Sequence, residues 1–193
     1  LEETVRRRTG ELEEANRCLS VNAVTDSLTG LYNRGALMKR IEELDKAINR
    51  GTIERQNLSA AYLDLDNFKH YNDTNGHKLG DTILREAAAL LKDCLRGDDL
   101  IFRMGGDEFL ILMPETGAAE AEKAVQRLLA SFASLPERVS ARGQVHLDTA
   151  PSISVGLASG SDGQHCRVED LIQRADEALL NAKEIGKNRY CVA

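Results

Sequence analysis

Leu100-Ile101-Phe102-Arg103-Met104-Gly105-Gly106-Asp107-Glu108-Phe109-Leu110-Ile111-Leu112-Met113 is the stretch on which the fold turns. Two apolar, β-like runs, Leu100 to Met104 and Phe109 to Met113, flank two glycines and two acids. Paired glycines between apolar runs mark a hairpin, because a tight turn needs backbone angles that side chains disfavour. Two adjacent carboxylates at its tip repel each other and add little to packing. Their presence is explained if a cation or a proton-bearing substrate sits opposite them.

Upstream, Leu58 to Leu65 alternates as a strand and runs into Asp64-Leu65-Asp66-Asn67-Phe68-Lys69-His70-Tyr71-Asn72-Asp73. Asp64 and Asp66 are two residues apart, so on a strand both face one side. If this strand lies beside the hairpin, Asp64, Asp66, Asp107 and Glu108 bring up to four carboxylates into one neighbourhood. At ~5 Å and an effective dielectric of ~20, each like-charged pair costs roughly 3 kcal/mol. Either protons stay on or divalent cations bind, and all-oxygen ligands suit Mg²⁺ or Mn²⁺ rather than zinc. By itself the Asp64 segment reads more plainly as an exposed acidic turn, with Asp66 capping the next helix. With the hairpin included, the metal site is the better reading.

Helical patterns cover 34–49, with Leu37, Ile41, Leu44 and Ile48 on one face, and 80–95, through Ile83, Leu84, Ala87, Leu90 and Leu91. Two more cover 118–135, ended near Pro136, and 168–185, closed at Gly186. Ser152 to Ala158 alternates as a strand and Tyr190 to Val192 reads as a short final one. Residues 138–149 are left open between an edge strand and a hairpin arm. This order predicts an α/β (α+β) fold, with one mixed central sheet flanked by helices.

Residues 1–22 read as a separate helix. Leu1, Val5, Leu12, Ala15 and Leu19 fall near seven-residue spacing, interrupted by Arg8 and Asn22. One reading is a solvated leader helix packed on its own domain. The favoured one is the end of a coiled coil, joining an upstream sensor domain to a domain over 23–193 and pairing two copies as a homodimer. The chain begins at Leu1 rather than Met, which fits a fragment of a longer protein.

The 193 residues are 42% hydrophobic and 29% charged, ordinary for a soluble globular domain with a sizeable core. Trp is absent, so the core must rest on Leu, Ile, Val and Ala. No apolar run approaches the ~20 residues that span a bilayer. The net charge of −6 argues against a general nucleic-acid binder but not against a nucleotide substrate, because metal ions and local lysines can reverse the field at one site. Cys18, Cys94, Cys166 and Cys191 show no metal-ligand spacing and read as reduced thiols of a cytoplasmic protein, with Cys94 buried in a helix.

Five short motifs together resemble one family. Gly105 to Phe109 is similar to the motif that names the GGDEF domains, the bacterial diguanylate cyclases. Asp64 to Asp81 resembles their DxDxFKxxND…GHxxGD segment, with Asn72, Gly76, His77, Gly80 and Asp81 all matching. Asp26 to Arg34 resembles the DxLTGLxNR entry motif, and Lys183 to Arg189 the closing AKxxGKN motif. Arg96-Gly97-Asp98-Asp99 resembles the family's RxxD inhibitory site. Any one motif is weak, but the set spans about residues 22–192 in the family's order.

The resemblance implies a sheet like that of nucleotidyl cyclases and polymerase palms. It implies an enzyme that condenses two GTP into cyclic di-GMP and two pyrophosphates, using Mg²⁺ (or Mn²⁺), two ions per site. Asp64, the Leu65 carbonyl and Asp107 would ligate metal. Asp107 would also activate the attacking hydroxyl, Glu108 would assist the second ion, and Lys69 would stabilise the transition state. The backbone near Asn67 and Phe68 would approach the phosphates, whose charge Lys69, Lys183 and Lys187 would balance. Asn72 and Asp81 would read guanine, and His77 would line the pocket. Arg96 and Asp99, with Arg127 more loosely, would bind the product as inhibitor. The catalytic unit would be a homodimer in the cytoplasm, with or without a membrane-anchored sensor. The alternative is a family member without catalysis that senses GTP or cyclic di-GMP.

Overall fold

In the computed structural model, six strands form one mixed sheet: β1 (Tyr32–Asn33), β2 (Leu58–Leu65), β3 (Leu100–Gly105), β4 (Glu108–Pro114), β5 (Ile153–Ser159) and β6 (Tyr190–Val192). The structure describes residues 24–143, 151–161 and 167–193. The expected coiled-coil helix over 1–22, Cys18 and Cys166 lie outside them. The strand order is β1-β3-β4-β2-β5-β6. The four central strands are antiparallel neighbours, and the two short edge strands β1 and β6 pair in parallel.

Among the described residues six α-helices cover the sheet: α1 (Arg34–Asn49), α2 (Phe68–Asn75), α3 (His77–Cys94), α4 (Ala118–Phe132), α5 (Leu135–Gly143) and α6 (Val168–Glu184). Strand alternation sorts the core into two layers. Ala61, Leu63, Leu65, Phe109, Ile111 and Met113 meet the apolar faces of α3, α4 and α5 on one side. Leu58, Ala60, Leu110 and Leu112 meet α1 and α6 on the other. By the same alternation Asp64 and Glu108 fall on the α1/α6 side, past its last apolar layer.

Three expectations are corrected. The helix expected from residue 80 begins at His77, and a short helix, Phe68–Asn75, precedes it. Phe68 and Tyr71 bury a single turn's worth of apolar surface, too little for a periodic signal. The stretch from 138 is helical as far as Gly143 rather than an edge strand or hairpin arm. Leu135 and Val139 are fully buried one turn apart, and Pro136 sits in the first turn, where its missing N–H costs nothing. Cys94 is half-buried, its Sγ 3.2 Å from Ser131 Oγ.

Candidate active site

β2 and β4 run antiparallel with Asp64 directly opposite Glu108, so the two side chains share a face. Beyond this last rung the Leu65 amide donates to the Asp107 carbonyl at 3.2 Å. The turn between β3 and β4 is two residues, Gly106 and Asp107, with Gly105 paired to Glu108. Gly106 has φ +48°, a left-handed angle that glycine takes without steric cost. The end of β2 and the acidic hairpin therefore meet, as the sequence predicts.

Asp64 is half-buried, and Lys183 at the end of α6 places Nζ 2.8 Å from its Oδ2. Burial pushes the Asp64 carboxyl up and the Lys183 contact pulls it down. The charges of Asp107 and Glu108 push it up again, leaving it above the usual carboxylate range. Burial, with Glu108 nearby, likewise pushes the Tyr62 hydroxyl up to about 12. Burial is the chief cause at both groups, and the neighbouring acids add to it.

The four-carboxylate cluster does not form. Asp66 is 3% exposed and faces inward, accepting from Ser152 Oγ and Ser154 Oγ, both at 2.6 Å, and from the Asn188 amide at 3.0 Å. Nor does Asp66 cap a helix: Asn67 is the N-cap of α2, with φ +58° and no side-chain capping bond. Among the described residues no three His, Cys, Asp or Glu side chains are grouped to hold a metal ion. The oxygens of Asp64, Leu65 and Asp107 still fit a hard divalent cation in kind, and the repulsion of Asp64 by Asp107 and Glu108 is what such an ion would relieve.

The other predicted residues lie on α2, on α3 and in the segment after α6. Lys187, in a left-handed conformation (φ +59°), donates from Nζ to Asn67 Oδ1 at 2.7 Å. Lys69 and His77 are exposed, in the first turns of α2 and α3. The Phe68 side chain is core, which leaves only its backbone for the expected approach to phosphate. Asn72 Oδ1 is buried with no hydrogen-bond partner. It lies so close to α3 that a Cβ built on Gly80 would fall 1.9 Å from it. Asp81, expected to read guanine, is half-exposed on α3, with Arg85 Nη2 3.9 Å away.

Arg96, Asp99 and Arg127 line one small cavity of about 180 Å³ at the far end of α3, together with Thr116, Glu120 and Lys123. The Arg96 amide donates to Asp99 Oδ2 at 2.8 Å. Burial pushes the Asp99 carboxyl up, partly offset by that amide. Arg127 donates from Nη2 and Nε to the Cys94 carbonyl, 2.7 and 3.2 Å away, closing the C-terminus of α3.

Two ties escaped the sequence reading. Arg103 donates from Nη2 and Nε to the Gly106 carbonyl, at 2.8 and 3.1 Å, and from Nη1 to both oxygens of Asp26, at 3.1 and 3.2 Å. Asp26 also accepts from the Thr29 amide and hydroxyl. Burial raises the Asp26 carboxyl, but these bonds from Thr29 and Arg103 outweigh it and hold it below the usual range. The signal was a lone cation in an apolar strand. The second tie is Asp66, whose signal was the Ser152-x-Ser154 alternation.

Comparison with known proteins agrees with this geometry. The family model for the diguanylate cyclase GGDEF domain matches residues 23–189. The response regulator PleD of Caulobacter vibrioides is 40% identical over 166 residues, covering 86% of this chain and 35% of PleD. The cyclic di-GMP phosphodiesterase PdeR of Escherichia coli is 38% identical over 184 residues, 94% of this chain and 26% of PdeR. The chain thus spans about a quarter to a third of the length of these relatives. The coiled coil and GGDEF domain of DgcB from Caulobacter crescentus, solved in complex with c-di-GMP, superposes with a TM-score of 0.83 at 28% identity, covering 100% of this chain and 99% of that one. A six-stranded mixed sheet flanked by helices, with its acidic hairpin turned onto the end of a neighbouring strand, defines an α/β domain. The chain belongs to the GGDEF family of diguanylate cyclase domains. Among its described residues no helix is long and apolar enough to cross a membrane.

Proposed function

We propose that this chain is a catalytic diguanylate cyclase domain, converting two GTP into cyclic di-GMP and two pyrophosphates. The observation that carries the reading is the juxtaposition of Asp64 with Glu108 and of Leu65 with Asp107, with Lys183 already drawn onto Asp64. Asp64, the Leu65 carbonyl and Asp107 would hold Mg²⁺ or Mn²⁺, with Glu108 assisting a second ion. Such ions supply charge to the triphosphate and acidify a bound hydroxyl.

In each half of the reaction the 3′-oxygen of one GTP bonds to the α-phosphorus of the other. The bond from that phosphorus to the β-phosphate oxygen breaks, and pyrophosphate leaves with the electron pair. Asp107 takes the hydroxyl proton. Lys69, Lys183 and Lys187 offset charge on the phosphates, and Lys69 follows the charge that develops in the transition state. Asn72 donates its side-chain N–H to the base and Asp81 accepts from the N–H groups of guanine, while His77 lines the pocket. Adenine offers Asp81 no such donors, but Asp81 is half-exposed and water satisfies it, so the discrimination falls chiefly on Asn72, whose side-chain oxygen is buried. Each domain holds one GTP, so two domains must face each other. A homodimer, set by the 1–22 segment and an upstream sensor, is part of the proposal. Product held by Arg96 and Asp99, with Arg127 beside them, would lower turnover by coupling to the active site.

A second reading is a GTP- or cyclic di-GMP-sensing module without catalysis. PdeR, a phosphodiesterase that contains a segment similar to nearly all of this chain, is what favours it. Incubation with GTP and Mg²⁺ followed by chromatography decides. Cyclic di-GMP is the expected product; none from a dimer that still binds GTP establishes the sensor.

A further inference from the structure

The buried carboxylate of Asp66 is unexplained by metal binding or by helix capping. Its three donors, two serine hydroxyls and one amide, are all neutral. Burying a carboxylate without a cation is unfavourable, so a purely structural tie at this place is better made by a neutral side chain. What the carboxyl group adds is a pair of oxygens that take all three donors together, whereas an amide must turn an N–H towards one of them.

The third donor is the informative one. Asn188 follows Lys187, and both are non-glycine residues in the left-handed region, at φ +46° and +59°. Such a conformation persists only where its surroundings over-determine it. Here the Asn188 amide is held by Asp66, the Arg189 carbonyl by the Val155 amide at 2.9 Å, and the Lys187 amide by the Ala182 carbonyl at 3.1 Å. The result is that Lys187 Nζ reaches Asn67 Oδ1, at the exposed start of α2. Asp66 is anchored in turn on β5, through its own amide to the Ser152 carbonyl at 2.8 Å and through the two serines.

We infer that Asp66 is a positioning residue: its buried carboxylate fixes the left-handed Lys187-Asn188 bend, and so places the Lys187 ammonium beside the end of β2 for the phosphates of GTP. The inference rests on the GTP-binding part of the proposed function, not on turnover.

The test compares wild type, Asp66→Asn and the milder Ser152→Ala, each alone and with Lys187→Ala. Amide hydrogen exchange of residues 186–189 and equilibrium titration with GTP and Mg²⁺ are the readouts. Asp66→Asn speeds exchange in 186–189, leaves the other strands of the sheet protected, and weakens GTP binding by about 10-fold. Ser152→Ala moves both readouts the same way by less, and reports on the tie if Asp66→Asn does not fold. In the Lys187→Ala background the loss from Asp66→Asn shrinks to within about 2-fold, because residues acting through one another are not additive. Unchanged exchange in 186–189, or a loss of affinity that persists in full without Lys187, overturns the inference. A wild type that binds GTP but makes no cyclic di-GMP ends the cyclase reading alone and leaves this comparison standing.

Discussion

Lys183 Nζ lies 2.8 Å from Asp64 Oδ2, where β2 ends beside Asp107 and Glu108. The ion pair does not restore Asp64 to an ordinary carboxylate: burial and the two neighbouring acids outweigh the lysine, and the carboxyl stays above its usual range. Carboxyls raised in this way cluster at functional sites, where the demands of activity and of stability diverge.

Asp64→Asn is therefore expected to separate the two. With the folded value above the unfolded one, the native state holds the proton more tightly. Stability from this group is fullest below the unfolded value and is lost as pH rises through the folded one. At neutral pH ionised Asp64 lowers stability, so Asp64→Asn raises the melting temperature while cutting cyclic di-GMP formation by about 100-fold or more. Thermal melts and turnover on one preparation check this; a lower melting temperature at neutral pH contradicts it.

Asp26 has the opposite sign. Its carboxyl is held low in the folded state, so it contributes stability above its unfolded value that is lost as pH falls through the folded one. Asp26→Asn should cost about 1–2 kcal/mol at neutral pH, the worth of hydrogen bonds to a charged group. The gap to wild type should close in acid. Denaturant titrations across pH measure it. Because Arg103 grips both Asp26 and the Gly106 carbonyl, Asp26→Asn and Arg103→Ala should be non-additive. Full additivity means the tie carries no energy.

The hairpin, β2 and the α1, α3, α4 and α6 helices were legible because each carries a repeated apolar period that burial enforces. What escaped lacks a period. The two-residue β1 and the eight-residue α2 are too short for one. Pro136 looks like a stop signal, yet at the start of α5 it is compatible with a helix. At the site, residue types were readable but their partners were not. Asp66 and Asp64 look alike in sequence. Only the arrival of Ser152, Ser154 and Asn188 from distant segments makes one a buried acceptor and leaves the other facing Lys183. Long-range contacts of this kind leave no local signal.

At the other end of α3 the Arg96 amide holds Asp99, whereas the proposed product site would use the Arg96 guanidinium. Arg96→Ala thus preserves the Asp99 turn and removes only the side chain that would meet product. Affinity for cyclic di-GMP should fall by about 10-fold or more, as for loss of a charge-assisted bond, while the initial rate without product stays near wild type. Calorimetry with cyclic di-GMP reads the first and early time points the second. Unchanged affinity removes Arg96 from the product site.

Gly80 offers the sharpest test of the base pocket. A methyl there would fall 1.9 Å from Asn72 Oδ1 and 3.1 Å from Phe68 Cζ, so the Asn72 amide must swing away. That amide is the end of a side chain, so the fold has a way to yield, and alanine gains up to about 1 kcal/mol of helix propensity over glycine in α3. Gly80→Ala should melt within a few degrees of wild type yet bind GTP about 10-fold more weakly, as expected when a placed polar contact to the base is lost. Because Asn72 is displaced rather than deleted, ATP should compete better against GTP in the variant than in wild type. Competition binding with both nucleotides distinguishes this from a general loss of affinity. If GTP and ATP weaken in the same proportion, or neither changes, Asn72 does not read the base.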